Sequence, residues 1–373
     1  MGGCGLALGG YASQHFFGSS RPAFTVGFPG DAPDVLDQWS RPAEWAESGM
    51  GLITCMLCPH QCVLGENDRG FCRVRAVKNG KLHTLVYGNA CSANLDPIEK
   101  KPLYHYLPGQ PILSIATAGC NFRCKNCQNW QISQAKPHEI QHSDLPPERL
   151  VEAAVAHKIP AIAYTYSEPI VYFEYARDSC ALAREKGIKN VLVTAGYINP
   201  KPLRAFCKVV DAVTLDLKSF DDAHYRTLNS GRLAPVLRAL EIIREEGVWL
   251  EISRLVVPHH ADSLDDIRNM CAWIVGTLGP DVPLHFLRFH GAYKLERLEP
   301  TPAETLDAAE KIARDSGIHH VYIGNVPGRE SQSTRCPSCG ETVIERTGFQ
   351  LIQNRLGADG KCKCGKVVAG VWG

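Results

Sequence analysis

Three cysteines at Cys120-Asn-Phe-Arg-Cys124-Lys-Asn-Cys127 set the first chemical constraint, because thiolates spaced C-x3-C-x2-C on one loop converge on a single metal group. Three such ligands hold three irons of a 4Fe–4S cube and leave the fourth iron free to bind something else, whereas electron-transfer clusters use four cysteines. The same spacing also suits a zinc ion that borrows a fourth ligand, such as His105 or His142. Two further groups flank this triad. Cys55, Cys58, Cys62 and Cys72 place four thiolates within 18 residues, a set that serves structural zinc or an auxiliary iron–sulfur cluster, with His60 as a substitute ligand. Cys336, Cys339, Cys362 and Cys364 read as the two halves of a zinc ribbon, its 22-residue gap carrying a small hairpin at Val343–Glu345 and Phe349–Ile352. The remaining Cys4, Cys91, Cys180, Cys207 and Cys271 are scattered and read as small hydrophobes.

The elements that position the triad follow from patterning. Apolar runs at Pro111–Ala116, Ala161–Tyr166, Val191–Thr194, Ala212–Leu217, Leu250–Val257, Leu284–Phe289 and His320–Ile323 predict strands. Helical patterns fall between them at Pro146–His157, Ile170–Lys186, Leu233–Glu246, Leu264–Leu278 and Ala303–Ser316. Alternation of this kind implies parallel pairing, and six or seven units predict an α/β fold with a partial or near-complete β/α barrel. Chemistry in such barrels sits just after the strands' C-terminal ends. Polar residues recur there: Cys120, Glu168, Thr194 and Asn199, Asp216 and Lys218, Arg254 and His259, Arg288 and His290, then Asn325.

The expected organisation is a flexible arm at 1–45, a Cys-rich metal-binding segment at 46–105, the barrel at 106–328 and the ribbon-like segment at 329–373. The 373-residue chain carries 40 Lys plus Arg against 39 Asp plus Glu, a net charge of +1, which gives no global footprint for nucleic acid. Sixteen cysteines in tight clusters within a long chain suggest metal coordination in a reducing, cytoplasmic setting rather than a disulfide framework. No run of about 18 apolar residues predicts a transmembrane helix. The small apolar start at Met1–Ala12, with Gly2-Gly3-Cys4, reads as a disordered terminus, the alternative being a truncated signal peptide or lipoprotein-like start.

C-x3-C-x2-C after a first barrel strand resembles the radical S-adenosylmethionine (SAM) superfamily. Six ordered segments narrow the resemblance: DPIEKKPLYHYLPG (Asp96–Gly109), AGCNFRCKNCQNW (Ala118–Trp130), AYTYSEP (Ala163–Pro169), LDLKSF (Leu215–Phe220), HFLRFHGAYKL (His285–Leu295) and IGNVPG (Ile323–Gly328). Together they resemble the radical SAM enzymes of AmmeMemoRadiSam systems, relatives of the pyruvate formate-lyase activating enzymes. The resemblance implies an enzyme in which SAM chelates the open iron and yields a 5′-deoxyadenosyl radical that abstracts hydrogen from a substrate. It also implies residue roles. Ser167 and Glu168, in the place of the superfamily's Gly-Gly-Glu-Pro segment, would meet the SAM amino group. Thr194 and Asn199 would touch its ribose or methionine part. Asp216, Lys218 and Arg254 would reach ribose and carboxylate, and His259, His290, Tyr293 and Lys294 would face the substrate. One position departs from the pattern: the residue before the third cysteine, aromatic in the superfamily, is Asn126, leaving Phe122 or Trp130 to supply the ring. Implied partners are an electron donor such as flavodoxin or ferredoxin, and Memo-like and Ammecr-type proteins. Two other readings remain: an activase acting on a glycyl-radical enzyme, and a zinc-rich, non-catalytic binding module.

Overall fold

The computed structural model of the chain describes residues 33–326, 332–357 and 359–372, so Cys4 and the apolar start lie outside the described residues. Its centre is an eight-stranded sheet. The strands are β1 (Ser92–Pro97), β2 (Pro111–Ala116), β3 (Ala161–Tyr164), β4 (Lys189–Thr194), β5 (Ala212–Asp216), β6 (Trp249–Val256), β7 (Leu284–Arg288) and β8 (Val321–Gly324). They lie side by side in chain order, β2 to β8 parallel and β1 antiparallel at the edge. Each parallel step is bridged by a helix: α1 (Pro147–Ala156), α2 (Phe173–Glu185), α3 (Pro200–Cys207), α4 (Leu233–Glu245), α5 (Leu264–Thr277) and α6 (Ala303–Asp315). Crossovers of one hand in unbroken order put every helix on one face and curl the sheet, as in a barrel; a doubly wound sheet would reverse order midway. Among the described residues β1 and β8 do not pair, so the barrel is open along that seam.

Strand alternation sorts the side chains between the two faces. Ile115, Ile162, Leu192, Leu215, Ile252, Phe286 and Ile323 pack outward against Leu150, Ala176, Ile243 and Ile274 of the helices in one core. The inner face carries small residues, Ala161, Ala163 and Ala212, beside Ile112 and Val191, which leaves room within the curl. Helix limits follow local chemistry: Ser263 caps α5 by accepting from the Asp266 amide at 3.3 Å, and Gly247, with φ +72°, turns the chain after α4.

The base of the interior is plugged by the segment joining β1 to β2. Fully buried Glu251 on β6 accepts from the Tyr104 and His105 amides at 3.0 and 2.8 Å and from Trp249 Nε1 at 3.1 Å, with His285 Nε2 at 2.7 Å. Four donors satisfy a carboxylate that would otherwise be costly to bury. The C-terminal hairpin, Thr342–Thr347 with Gln350–Asn354, seats below this plug. Its buried Arg346 donates to Tyr104 O at 2.6 Å and to Glu99 at 3.3 Å.

Two small antiparallel sheets precede β1. One joins Ala46–Gly49, Leu52–Cys55 and Val63–Leu64, the other Arg41–Pro42, Lys81–Thr84 and Arg75–Lys78. Arg75, 1% exposed, ties them to α2 through Glu174 at 2.9 Å. The last part of the expected loose arm is docked: Leu36 and Trp39 are each 1% exposed, and Arg41–Pro42 pairs with Thr84 and His83. β1 likewise serves the main sheet, although the sequence pattern assigns it to the metal-binding segment. No helix of the described residues is long and apolar enough to cross a membrane.

Candidate active site

The cysteine loop leaves β2 at Ala116 and rests on the N-terminal module. Gly119 has φ +93°, and a Cβ there would lie 2.6 Å from both Cys72 O and Val74 Cγ1, so only glycine allows this approach. Cys120, Cys124 and Cys127 then open into a cavity of ≈ 470 Å³ at the C-terminal ends of the strands. Glu168 follows β3, Thr194 ends β4, Asp216 ends β5 and Lys218 lies two residues beyond; these residues and Ser167 line the same cavity.

Burial, reinforced by Glu168 and Cys124, pushes the Cys120 thiol well above its ordinary range. Burial also raises Cys124, while Lys218 pulls it back. Desolvated thiols that repel one another as thiolates gain most from a bound cationic group. Asn229 Nδ2 donates to Cys124 Sγ at 3.1 Å, and the Phe122 amide to Cys120 Sγ at 3.3 Å.

Burial raises Glu168 too, against the donors that hold it: Thr194 Oγ1 at 2.6 Å and the amides of Ala195 and Ile170 at 2.9 and 3.2 Å. Burial works against the Lys218 ammonium, but Asp216 at 3.1 Å and Cys124 outweigh it and raise its pKa. Asp216 is oriented in turn by Ser253 Oγ across the β5–β6 pair. Tyr166 sits at φ +61°, a left-handed conformation that glycine adopts without strain and a tyrosine rarely does. Its hydroxyl donates to Asp96, and its carbonyl accepts from Asn129 Nδ2 at 2.9 Å.

Three polar atoms at the cavity wall, Ser167 Oγ, Asn126 Oδ1 and Asn229 Oδ1, are buried without a protein partner. Orphaned acceptors beside three thiols, a carboxylate and an ammonium fit a polar, zwitterionic ligand held next to a metal cluster.

Several expected residues lie elsewhere. Strand alternation turns Arg254 to the helix side, where its guanidinium meets Asp266 at 2.6 Å at zero exposure, away from the cavity. Arg254→Met is therefore expected to destabilise the fold by about 3–5 kcal/mol by stranding Asp266, leaving SAM affinity unchanged in the folded fraction; paired thermal melts and SAM titrations check this. Asn199 precedes α3 at the N-cap position, but its side chain donates to Met56 O at 2.6 Å instead of capping the helix, and it lies outside the cavity lining. His259 is exposed, its amide on Asp262 at 3.1 Å, and His290 is exposed beside Asn325 O at 3.4 Å. Tyr293 stacks on Trp130 at 5.2 Å, so Trp130 faces Tyr293 outside the cavity lining, and the Lys294 amide donates to Lys125 O. Phe122 borders the cavity but is wedged against Gly231, Tyr197 and Tyr225. His105 is held at the base by Tyr322 and Ala369, and His142 packs on Trp39, so neither joins the triad.

Other cavity residues are not strand-end residues, and neither spacing nor motif gives them a role. Asn229 comes from a π-helical turn at Tyr225–Asn229, and His285 and Phe349 come from the base and the C-terminal hairpin. Lys101 is 2% exposed, pairs with Asp96 at 2.6 Å, and has its pKa lowered to about 8 by burial, which Asp96 opposes.

Residues 114–274 match the radical SAM superfamily. An uncharacterized protein of Methanocaldococcus jannaschii is 44% identical over 318 residues, covering 85% of this chain and 95% of its own length. The pyruvate formate-lyase-activating enzyme of Clostridium pasteurianum is 26% identical over 216 residues, covering 53% of this chain and 87% of its own. Among solved structures, SuiB of Streptococcus suis superimposes with a TM-score of 0.46 at 12% identity, over 61% of this chain and 52% of that one. The chain belongs to the radical SAM superfamily of enzymes, whose members carry a 4Fe–4S cluster and use SAM, and it has activating-enzyme relatives.

Proposed function

We propose that the chain cleaves SAM reductively and directs hydrogen abstraction at a substrate that enters the same cavity. The observation that carries this reading is the convergence of Cys120, Cys124 and Cys127 with Ser167, Glu168, Asp216 and Lys218 on one ≈ 470 Å³ space lined by unpaired polar atoms. Cluster and SAM, when bound, supply a 5′-deoxyadenosyl radical; orientation and exclusion of water are the protein's share. The triad would hold the cluster, Ser167 and Glu168 the amino group, Thr194 the ribose side and Lys218, seated on Asp216, the carboxylate. A one-electron donor of the flavodoxin or ferredoxin kind would reduce the cluster. Anaerobically reconstituted protein given SAM and dithionite should release 5′-deoxyadenosine and methionine; reconstituted protein carrying iron that releases neither would sink the proposal.

Two substrate classes fit this chemistry. The six ordered motifs favour work within an AmmeMemoRadiSam system beside Memo-like and Ammecr-type proteins. The activating-enzyme relatives favour a glycyl-radical enzyme as the partner. Deuterium transfer from labelled candidates into 5′-deoxyadenosine separates the two.

The C-terminal segment is assigned a structural zinc. Its four ligand atoms lie within 4.8 Å of one another, with Cys336 Sγ and Cys364 Sγ at 3.6 Å and Cys339 Sγ and Cys362 Sγ at 3.7 Å. These approach the edges of a tetrahedron around one ion at about 2.3 Å. Cys339→Ala should lose one zinc per chain and loosen the hairpin that carries Arg346, since metal binding supplies folding energy to so small a unit. Metal analysis and limited proteolysis near Gln350–Asn354 check this.

A further inference from the structure

Cys55, Cys58, Cys62 and Cys72 line one small pocket walled by Leu57, Phe71, Ile170 and Val171. Two polar groups border it without protein partners, Arg75 Nε and Asn121 Oδ1, in residues 1% and 0% exposed. The rest of the Arg75 guanidinium is committed, Nη1 to Glu174 at 2.9 Å and Nη2 to Glu44 O at 2.7 Å. A fixed cation with a spare N–H beside four thiols suits an anionic metal–thiolate group. His60 is not a ligand here, because its Nε2 lies 2.8 Å from Asn121 O and its ring packs on Phe71.

Spacing distinguishes the metal. In the ribbon all four ligand atoms fall within 4.8 Å, as one ion requires; among the described residues no other three ligand atoms do so, neither from this quartet nor from Cys120, Cys124 and Cys127. An iron–sulfur cluster carries its thiolates on separate irons and spreads them wider than a single ion does. Like the triad, the N-terminal quartet does not gather three ligand atoms within 4.8 Å of one another, the arrangement that separates a multi-iron group from a single ion. We infer that Cys55, Cys58, Cys62 and Cys72 hold a second iron–sulfur cluster, ligated by all four thiolates and so without an open iron.

Its place gives it a role. Cys72 O lies against Gly119, the residue before Cys120; Arg123 hydrogen-bonds Phe71 O and covers the Phe71 ring at 4.1 Å. The two cysteine loops therefore touch through backbone and side chain. A reduced flavodoxin or ferredoxin would pass one electron to the second cluster, which is reoxidised as it reduces the first.

The inference rests on the central-cluster reading only for that relay, and its test separates the two. The full chain is reconstituted anaerobically as wild type, as Cys120→Ala/Cys124→Ala/Cys127→Ala and as Cys58→Ala/Cys62→Ala. The triple variant is expected to keep about four irons with equal acid-labile sulfide, and to give a reduced-cluster EPR signal that SAM does not alter. The Cys58→Ala/Cys62→Ala variant should lose that signal and keep the SAM-responsive one. A triple variant holding no iron and two zinc ions per chain overturns the second cluster, and 5′-deoxyadenosine from the wild type would then leave the proposed function standing.

Discussion

Cys124→Ala is expected to eliminate 5′-deoxyadenosine formation and to remove about four irons from the central site, while the folded chain stays intact. All three thiols would be needed because each would bind a different iron, and Glu168 is held in place by Thr194, Ala195 and Ile170 rather than free to swing in as a substitute ligand. The stability cost should be small, since a side chain at a cavity wall leaves no sealed void when shortened. Iron analysis, EPR and a thermal melt on one preparation separate loss of the cluster from loss of the fold. Asn229→Leu offers a graded version. It removes the 3.1 Å amide donor from Cys124 Sγ, so the cluster should remain while its reduction potential falls, because hydrogen bonds to sulfur help set that potential.

Lys218→Met should weaken SAM binding by about 10–150-fold, the range expected when a charge-assisted hydrogen bond worth about 1.5–3 kcal/mol is lost. The direction follows from the site: Lys218 is the ammonium beside Cys124, and its Asp216 partner is already fixed by Ser253. If Lys218 only stabilised the strand ends, melting temperature would fall and the SAM dissociation constant would not change. The pH dependence sharpens the test. Asp216 and Cys124 hold the Lys218 pKa above its ordinary value, so its charge persists through the neutral and mildly alkaline range and adds no basic limb there. Lys101 differs: burial lowers it to about 8, so its ammonium is present at neutral pH and is lost as pH rises through 8. A basic limb near pH 8 that disappears in Lys101→Met, but persists in Lys218→Met, would assign it to Lys101 at the cavity wall.

How much of this was readable beforehand depends on the kind of signal. Parallel β/α units announce themselves through apolar runs and helical periodicity, so β2 to β8 and five of the six helices are legible. The short α3 hides behind two prolines. β1, at Ser92–Pro97, is mostly polar or small and partly exposed, so nothing marks it as a strand; the main sheet supplies its partner. Strand ends predict which residues reach the cavity only when the parity is right. Asp216 and Ser253 share the inner face as register partners, while Arg254, one residue on, is turned to the helices. Asn229, His285 and Phe349 arrive from a π-helical turn, the barrel base and the distant hairpin, and only the folded chain brings them together.

The most direct test of the account is the EPR spectrum of the dithionite-reduced, anaerobically reconstituted chain before and after SAM is added. An open iron at Cys120, Cys124 and Cys127 predicts that SAM changes the g-values of one cluster signal in the wild type, and that the change needs higher SAM in Lys218→Met. A wild-type spectrum in which no reduced-cluster signal changes on addition of saturating SAM would contradict it.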